Sequence, residues 1–172
     1  MNTEAHFRQS TLRERIVEHV FIGDALRSFW RQGVMDVEVL RSEFDAYGYD
    51  LVVARGRIVR HIQFKTGTSK PRNVSVALAL GEKPSGCVIF IKITPALDIG
   101  PFYWFGGAPG SALPSITSFP KPTRTTPNKA GEYPAREKHR EVPGAVFEEL
   151  PSLDSVLIKL FGSLLPIGDS MS

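Results

Sequence analysis

Gly86-Cys87-Val88-Ile89-Phe90-Ile91 is a run without one charged side chain. A strand with that character is buried on both faces, so it belongs inside a sheet that carries cover on each side. The neighbouring segments supply such a sheet. Val34 to Leu40 alternates, with Met35, Val37 and Val39 on one face and Asp36 and Glu38 on the other, as a half-exposed strand does. Tyr47-Gly48-Tyr49 leads into a second strand, Asp50 to Ala54, and Arg55-Gly56-Arg57 turns it into a third, Ile58 to Lys65. Pro101-Phe102-Tyr103-Trp104-Phe105 reads as one more. Asn73 to Leu80 reads two ways: Val74, Val76, Leu78 and Leu80 alternate, while the alanines permit a helix.

Two helices complete the pattern. Thr11 to Arg31 contains no proline and stops at Gly33. Leu12, Ile16, Val20 and Trp30 form one apolar stripe on it, with Gly23 between, and Ile22, Ala25 and Phe29 form a second. A helix apolar on two sides is expected to be packed on both. Ser152 caps a second helix, whose Leu153, Val156, Leu157, Leu160 and Phe161 keep helical spacing until Gly162. Between the sheet and this helix, Pro109 to Pro151 holds eight of the 13 prolines and reads as a long, mostly irregular excursion. The expected architecture is α/β (or α+β), a mixed central sheet flanked by helices. It forms a single domain over 1–172, with its core in 11–106, the Pro-rich basic segment in 109–151 and the closing helix in 152–162.

Composition removes several classes. With 42% hydrophobic and 23% charged residues, the chain is neither globally disordered nor a coiled coil. No apolar run approaches the roughly 20 residues that span a bilayer. The start, Met1-Asn2-Thr3-Glu4-Ala5-His6, lacks the order of a signal peptide, so a cytoplasmic location is expected. The one cysteine, Cys87, excludes an internal disulfide and reads as a small buried hydrophobe. A net charge of +3 does not by itself indicate nucleic-acid binding. Lys121 to Arg140, however, carries six basic side chains against Glu132 and Glu137, a local patch able to attract phosphates. Within it, Arg136, Lys138 and Arg140 are the candidate nucleic-acid contacts; a solvated basic loop is the bland reading.

Three features could carry chemistry. His61, Gln63 and Lys65 alternate with Ile62 and Phe64 and therefore share a face of the third strand. Asp50 opens the neighbouring strand, 13 residues before Gln63. Glu18 lies on the second apolar stripe of the first helix, where a carboxylate needs a partner: Lys65 or a metal ion. Carboxylates with an amide oxygen and an amine suit a hard divalent cation and its water.

Asp50, the Gln63-Phe64-Lys65 run and a preceding helix with Glu18 resemble the PD-(D/E)xK nuclease superfamily, in a QxK form. The resemblance covers Thr11 to Ile93. The runs Glu43 to Leu51 and His61 to Gly67 are also similar to uncharacterised bacterial proteins of this type. The resemblance implies a restriction-endonuclease-like fold and Mg²⁺- or Mn²⁺-dependent hydrolysis of phosphodiester bonds in DNA, or in RNA. It implies a catalytic set of Glu18, Asp50, Gln63 and Lys65. In that set Asp50 and Gln63 ligate metal, Lys65 orients water or stabilises charge on the phosphate, and Glu18 holds a water or a second ion. Two positions depart from the pattern. Tyr49 stands where proline is usual, and Gln63 replaces an acid, removing one negative charge that Glu43 or Asp45 would have to restore.

The rival reading is a binding module that keeps the nuclease fold without metal. A third is a homodimer joined through the aromatic strand and the Pro-rich segment. Phe102 to Phe105 are candidates for base stacking or for core, and His61 for a fourth site residue or a structural one.

Overall fold

The computed structural model describes residues 3–44 and 47–166, with side chains from Gln9 onward. Asp45, one of the two residues expected to restore charge, lies outside the described residues. Helix α1 (Thr3–Arg31) precedes β1 (Val37–Arg41), β2 (Leu51–Arg55), β3 (Ile58–Gly67), β4 (Asn73–Ala77), β5 (Gly86–Ile93) and β6 (Ile99–Gly106). Then come β7 (His139–Pro143), β8 (Glu148–Leu150) and helix α2 (Leu153–Phe161). No described helix is long and apolar enough to cross a membrane.

Six strands form the central sheet in the order β1-β2-β3-β5-β6-β8. Only β3 and β5 run parallel, so the sheet is mixed, as expected. The apolar run is β5, and its pleat divides the core. Cys87, Ile89, Ile91 and Ile93 face α1 and α2, together with Phe102 and Trp104 of β6. Val88 faces the other way, with Tyr103 and Phe105, onto Val74 and Val76 of β4, Val142 of β7, Leu113 and Ile116. Both helices therefore cover one face. A two-stranded sheet of β4 and β7, with the loop between β6 and β7, covers the other.

This settles the ambiguous segment. Asn73 to Ala77 is a strand because β7 pairs with it, and a 3-10 turn, Leu78–Glu82, follows. The Pro-rich excursion is less irregular than expected, since β7 and β8 both lie in it. The aromatic strand is β6, enclosed between β5 and β8. Phe102, Tyr103, Trp104 and Phe105 are all buried, which removes them both as a base-stacking platform and as a dimer surface.

On α1 the buried stripe is Val17, Phe21, Ala25 and Phe29; Phe21 meets Phe64 at a ring distance of 4.9 Å and Phe29 meets Phe161 at 5.9 Å. The stripe of Leu12, Ile16, Val20 and Trp30 faces solvent, so within the chain the helix is packed on one side only. Gly33, at φ +74°, closes the helix as Val34 N–H returns to the Phe29 carbonyl at 3.0 Å. At the far end the wholly buried guanidinium of Arg60 takes up α2's last carbonyls. It donates to Leu160 O at 2.8 Å, Lys159 O at 3.0 Å and Gly107 O at 3.1 Å.

Candidate active-site cleft

β2 and β3 pair with Leu51 opposite Ile62, so Gln63 to Gly67 run on past the first residue of β2. That overhang would leave backbone groups without a ladder partner. Asp50 fills the gap: its Oδ2 accepts the Phe64 N–H at 2.7 Å, and its own N–H donates to Ile62 O at 2.8 Å. The carboxylate is thereby fixed beside Gln63, across the strand rather than along the chain.

Phe64 turns toward α1, which puts Gln63 and Lys65 on the other side of the pleat. Where the overhang leaves the sheet edge open, a cleft of about 400 Å³ forms between α1, the loop before β2, and β3. Its walls include Glu18, Asp50, Gln63 and Lys65, so one cleft brings together all four residues of the sequence pattern. Thr11, Glu14, Arg15, Ser42, Glu43 and Tyr49 also line it.

Two features define its electrostatics. Gln63 is only 7% exposed, and its Oε1 has no hydrogen-bond partner among the described residues. An orphaned buried acceptor costs about 1–3 kcal/mol, so an unexplained one calls for a partner. Glu18, also 7% exposed, has found cations: Arg41 Nη2 lies 2.8 Å from Oε1 and Arg15 Nη1 lies 3.4 Å from Oε2. The Arg41 contact is an ion pair whose angle does not make a hydrogen bond. Sequence reasoning offered Lys65 or a metal as the partner of Glu18 and missed both arginines. Arg15 was visible, three residues before Glu18 on the helix; Arg41 required knowing that the end of β1 passes α1.

The lining carries four carboxylates, Glu14, Glu18, Glu43 and Asp50, against Arg15 and Lys65. That excess favours a cation. Among the described residues no three of His, Cys, Asp and Glu are grouped closely enough to hold a metal ion. The oxygen donors of the sequence pattern that line the cleft are the Asp50 carboxylate and the Gln63 amide. They fit Mg²⁺, which takes few protein ligands and keeps several waters.

The remaining candidates lie outside the cleft lining. His61 donates from Nδ1 to Pro84 O at 2.8 Å, and its ring meets that of Tyr49 at 4.8 Å, edge to face. Arg140 is built into the scaffold, donating to the carbonyls of His139 at 2.7 Å, Glu137 at 2.9 Å and Thr117 at 3.4 Å. Arg136 reaches His139 Nε2 at 3.1 Å, and Lys138 is exposed. Cys87 is buried, and burial pushes its thiol up to about 12.

No family model and no curated protein matches the chain. Among solved structures it is similar to Hjc of Archaeoglobus fulgidus, a Holliday junction resolvase from an archaeal hyperthermophile. The two are 15% identical, the match covers 77% of this chain and 94% of the other, and the TM-score is 0.40.

Proposed function

We propose that the cleft hydrolyses phosphodiester bonds with the help of a divalent cation, Mg²⁺ or Mn²⁺. DNA is the substrate class that the sequence resemblance implies, with RNA as the alternative. One observation carries this reading: a buried, unpartnered amide oxygen, Gln63 Oε1, in the same acid-rich cleft as Asp50 and Lys65.

In this reading Asp50 and Gln63 hold the ion. When bound, the ion neutralises phosphate charge and lowers the pKa of a water. Asp50 is pre-positioned by the Phe64 N–H, so its carboxylate does not have to be ordered when the site fills. Lys65 places an ammonium where negative charge grows on the phosphate as water attacks. Glu18, held by Arg41 and Arg15, orients the water or receives its proton. Of the three basic residues expected to contact nucleic acid, Lys138 and Arg136 keep that role in the proposal, and Arg140 supports the loop that carries them.

The second reading, a binding module that retains the fold, draws on the neutral Gln63 and on a Glu18 already neutralised by two arginines. The experiment that separates them is incubation of the purified protein with mixed DNA and RNA substrates, with Mg²⁺ or Mn²⁺ and with a chelator. Metal-dependent cleavage by wild type that falls at least about 10²-fold in Lys65→Ala supports the nuclease. Nucleic-acid binding without cleavage at any metal concentration supports the module.

A further inference from the structure

The turn that delivers Asp50 to the cleft carries a tyrosine on each side of Gly48. Gly48 sits at φ +73°, and a Cβ there would come within 2.4 Å of the Ala77 Cβ. The turn is thus pressed onto the end of β4, where the 3-10 turn leading to Lys83 begins. Across this junction the Lys83 ammonium lies 4.2 Å from the centre of the Tyr47 ring and 5.8 Å from that of Tyr49. His61 braces the group from below: its ring meets Tyr49, and its Nδ1–H holds the carbonyl of Pro84, the residue after Lys83.

Lys83 is one of the basic side chains that stand outside the ion pairs of the structure. Lys121 is paired with Glu137, Lys159 with Glu148 and Arg41 with Glu18, whereas Lys83 makes no ion pair among the described residues. An aromatic face positions an ammonium without cancelling its charge, as a carboxylate would. Tyr49 also lines the cleft, so one ring separates Lys83 from the site of Asp50 and Gln63. Tyr47, more than half exposed, presents a flat apolar surface at the same place.

We infer that Tyr47, Tyr49 and Lys83 form a strand-binding subsite next to the cleft. Lys83 seats a phosphate of the nucleic-acid strand adjoining the one that reacts, and Tyr47 supports the neighbouring sugar and base. This inference rests on the reading of the cleft as a nuclease site. It adds residues that lie outside the sequence pattern of the superfamily.

The test is the affinity for a fluorescently labelled DNA oligonucleotide, measured by anisotropy across a KCl series in chelator, so that nothing is cleaved. Lys83→Gln should weaken binding roughly fivefold or more. It should also flatten the slope of log affinity against log salt by about 0.7–0.9. Tyr47→Ala should weaken binding while flattening that slope less than Lys83→Gln does, because stacking itself releases no counterions and only the loosened seat of Lys83 touches the slope. In the Tyr47→Ala background Lys83→Gln should cost less, since the ammonium has lost its seat. Melting temperatures of the variants serve as the check of folding. DNA binding with the wild-type salt slope in a folded Lys83→Gln overturns the subsite, while metal-dependent cleavage by wild type leaves the cleft reading standing. A reduced slope in Lys83→Gln alongside a wild type that neither binds metal nor cleaves supports the surface and overturns the nuclease.

Discussion

Replacing Gln63 by glutamate turns the orphaned acceptor into a charge and makes opposite demands on the empty and the loaded cleft. The side chain is 7% exposed, so a carboxylate there is almost fully desolvated and stands beside Asp50. Without metal, burial and like charge both oppose it. We expect Gln63→Glu to lower stability by about 1–3 kcal/mol, which for a domain of this size is a fall in Tm of about 3–10 °C. With metal the sign reverses. Two unit charges 4 Å apart attract by about 4 kcal/mol at an effective dielectric constant near 20. A dication gains more, and the carboxylate's desolvation returns a large part of it. A net gain of about 1.4–2.8 kcal/mol makes Mg²⁺ binding about 10- to 100-fold tighter. Thermal melts of wild type and Gln63→Glu over a MgCl₂ titration read both effects at once. The variant should melt below wild type in chelator and recover at lower Mg²⁺ than wild type needs for its own shift. A variant that melts lower and stays there at every Mg²⁺ concentration would refute the reasoning, because Gln63 Oε1 would then not face a cation site.

Arg41→Gln removes the nearer cation from Glu18, in a pair whose side chains are 34% and 9% exposed; stability should fall by about 1–2 kcal/mol, and Mg²⁺ affinity should rise as the carboxylate is released to the cleft. Calorimetric titration reads the second effect, and an unchanged affinity would make Glu18 a structural residue only. Arg60→Met keeps the apolar stem but strands three carbonyls, one buried and two part-buried, so urea unfolding should show a loss of about 2–4 kcal/mol with an unchanged m value. Cys87, its thiol held neutral by burial up to about 12, should resist a thiol reagent at pH 8 in the native protein and react once denatured; rapid native labelling would mean that the sheet opens at β5.

Much of the sheet was legible because its strands carry their own pattern. β5 announces burial on both faces, and the alternation along β3 assigns Gln63 and Lys65 to one side of the pleat before any partner is known. Asp50 was legible as a strand opener, although its bond to the Phe64 N–H follows from a register offset that local sequence does not encode. What could not be read depended on distant partners. Asn73 to Ala77 is a strand only because β7, more than 60 residues later, pairs with it. The two stripes of α1 looked equivalent in sequence; the sheet takes Ala25 and Phe29 of the second, together with Val17 and Phe21, which neither stripe held, and leaves Leu12 and Trp30 outside. The aromatic run in β6 gave no sign of whether it would be enclosed, and that depended on β8 closing over it. Likewise, the basic character of Arg140 said nothing of the three carbonyls that hold it.

The central claim is that Asp50 and Gln63 present a divalent-cation site, and the most direct test is a calorimetric titration of the wild-type protein with Mn²⁺ and with Mg²⁺, repeated on Asp50→Asn. The account predicts saturable binding in wild type that is lost, or weakened at least about tenfold, when the Asp50 charge is removed. Absence of binding in wild type, or equal binding in Asp50→Asn, would contradict it.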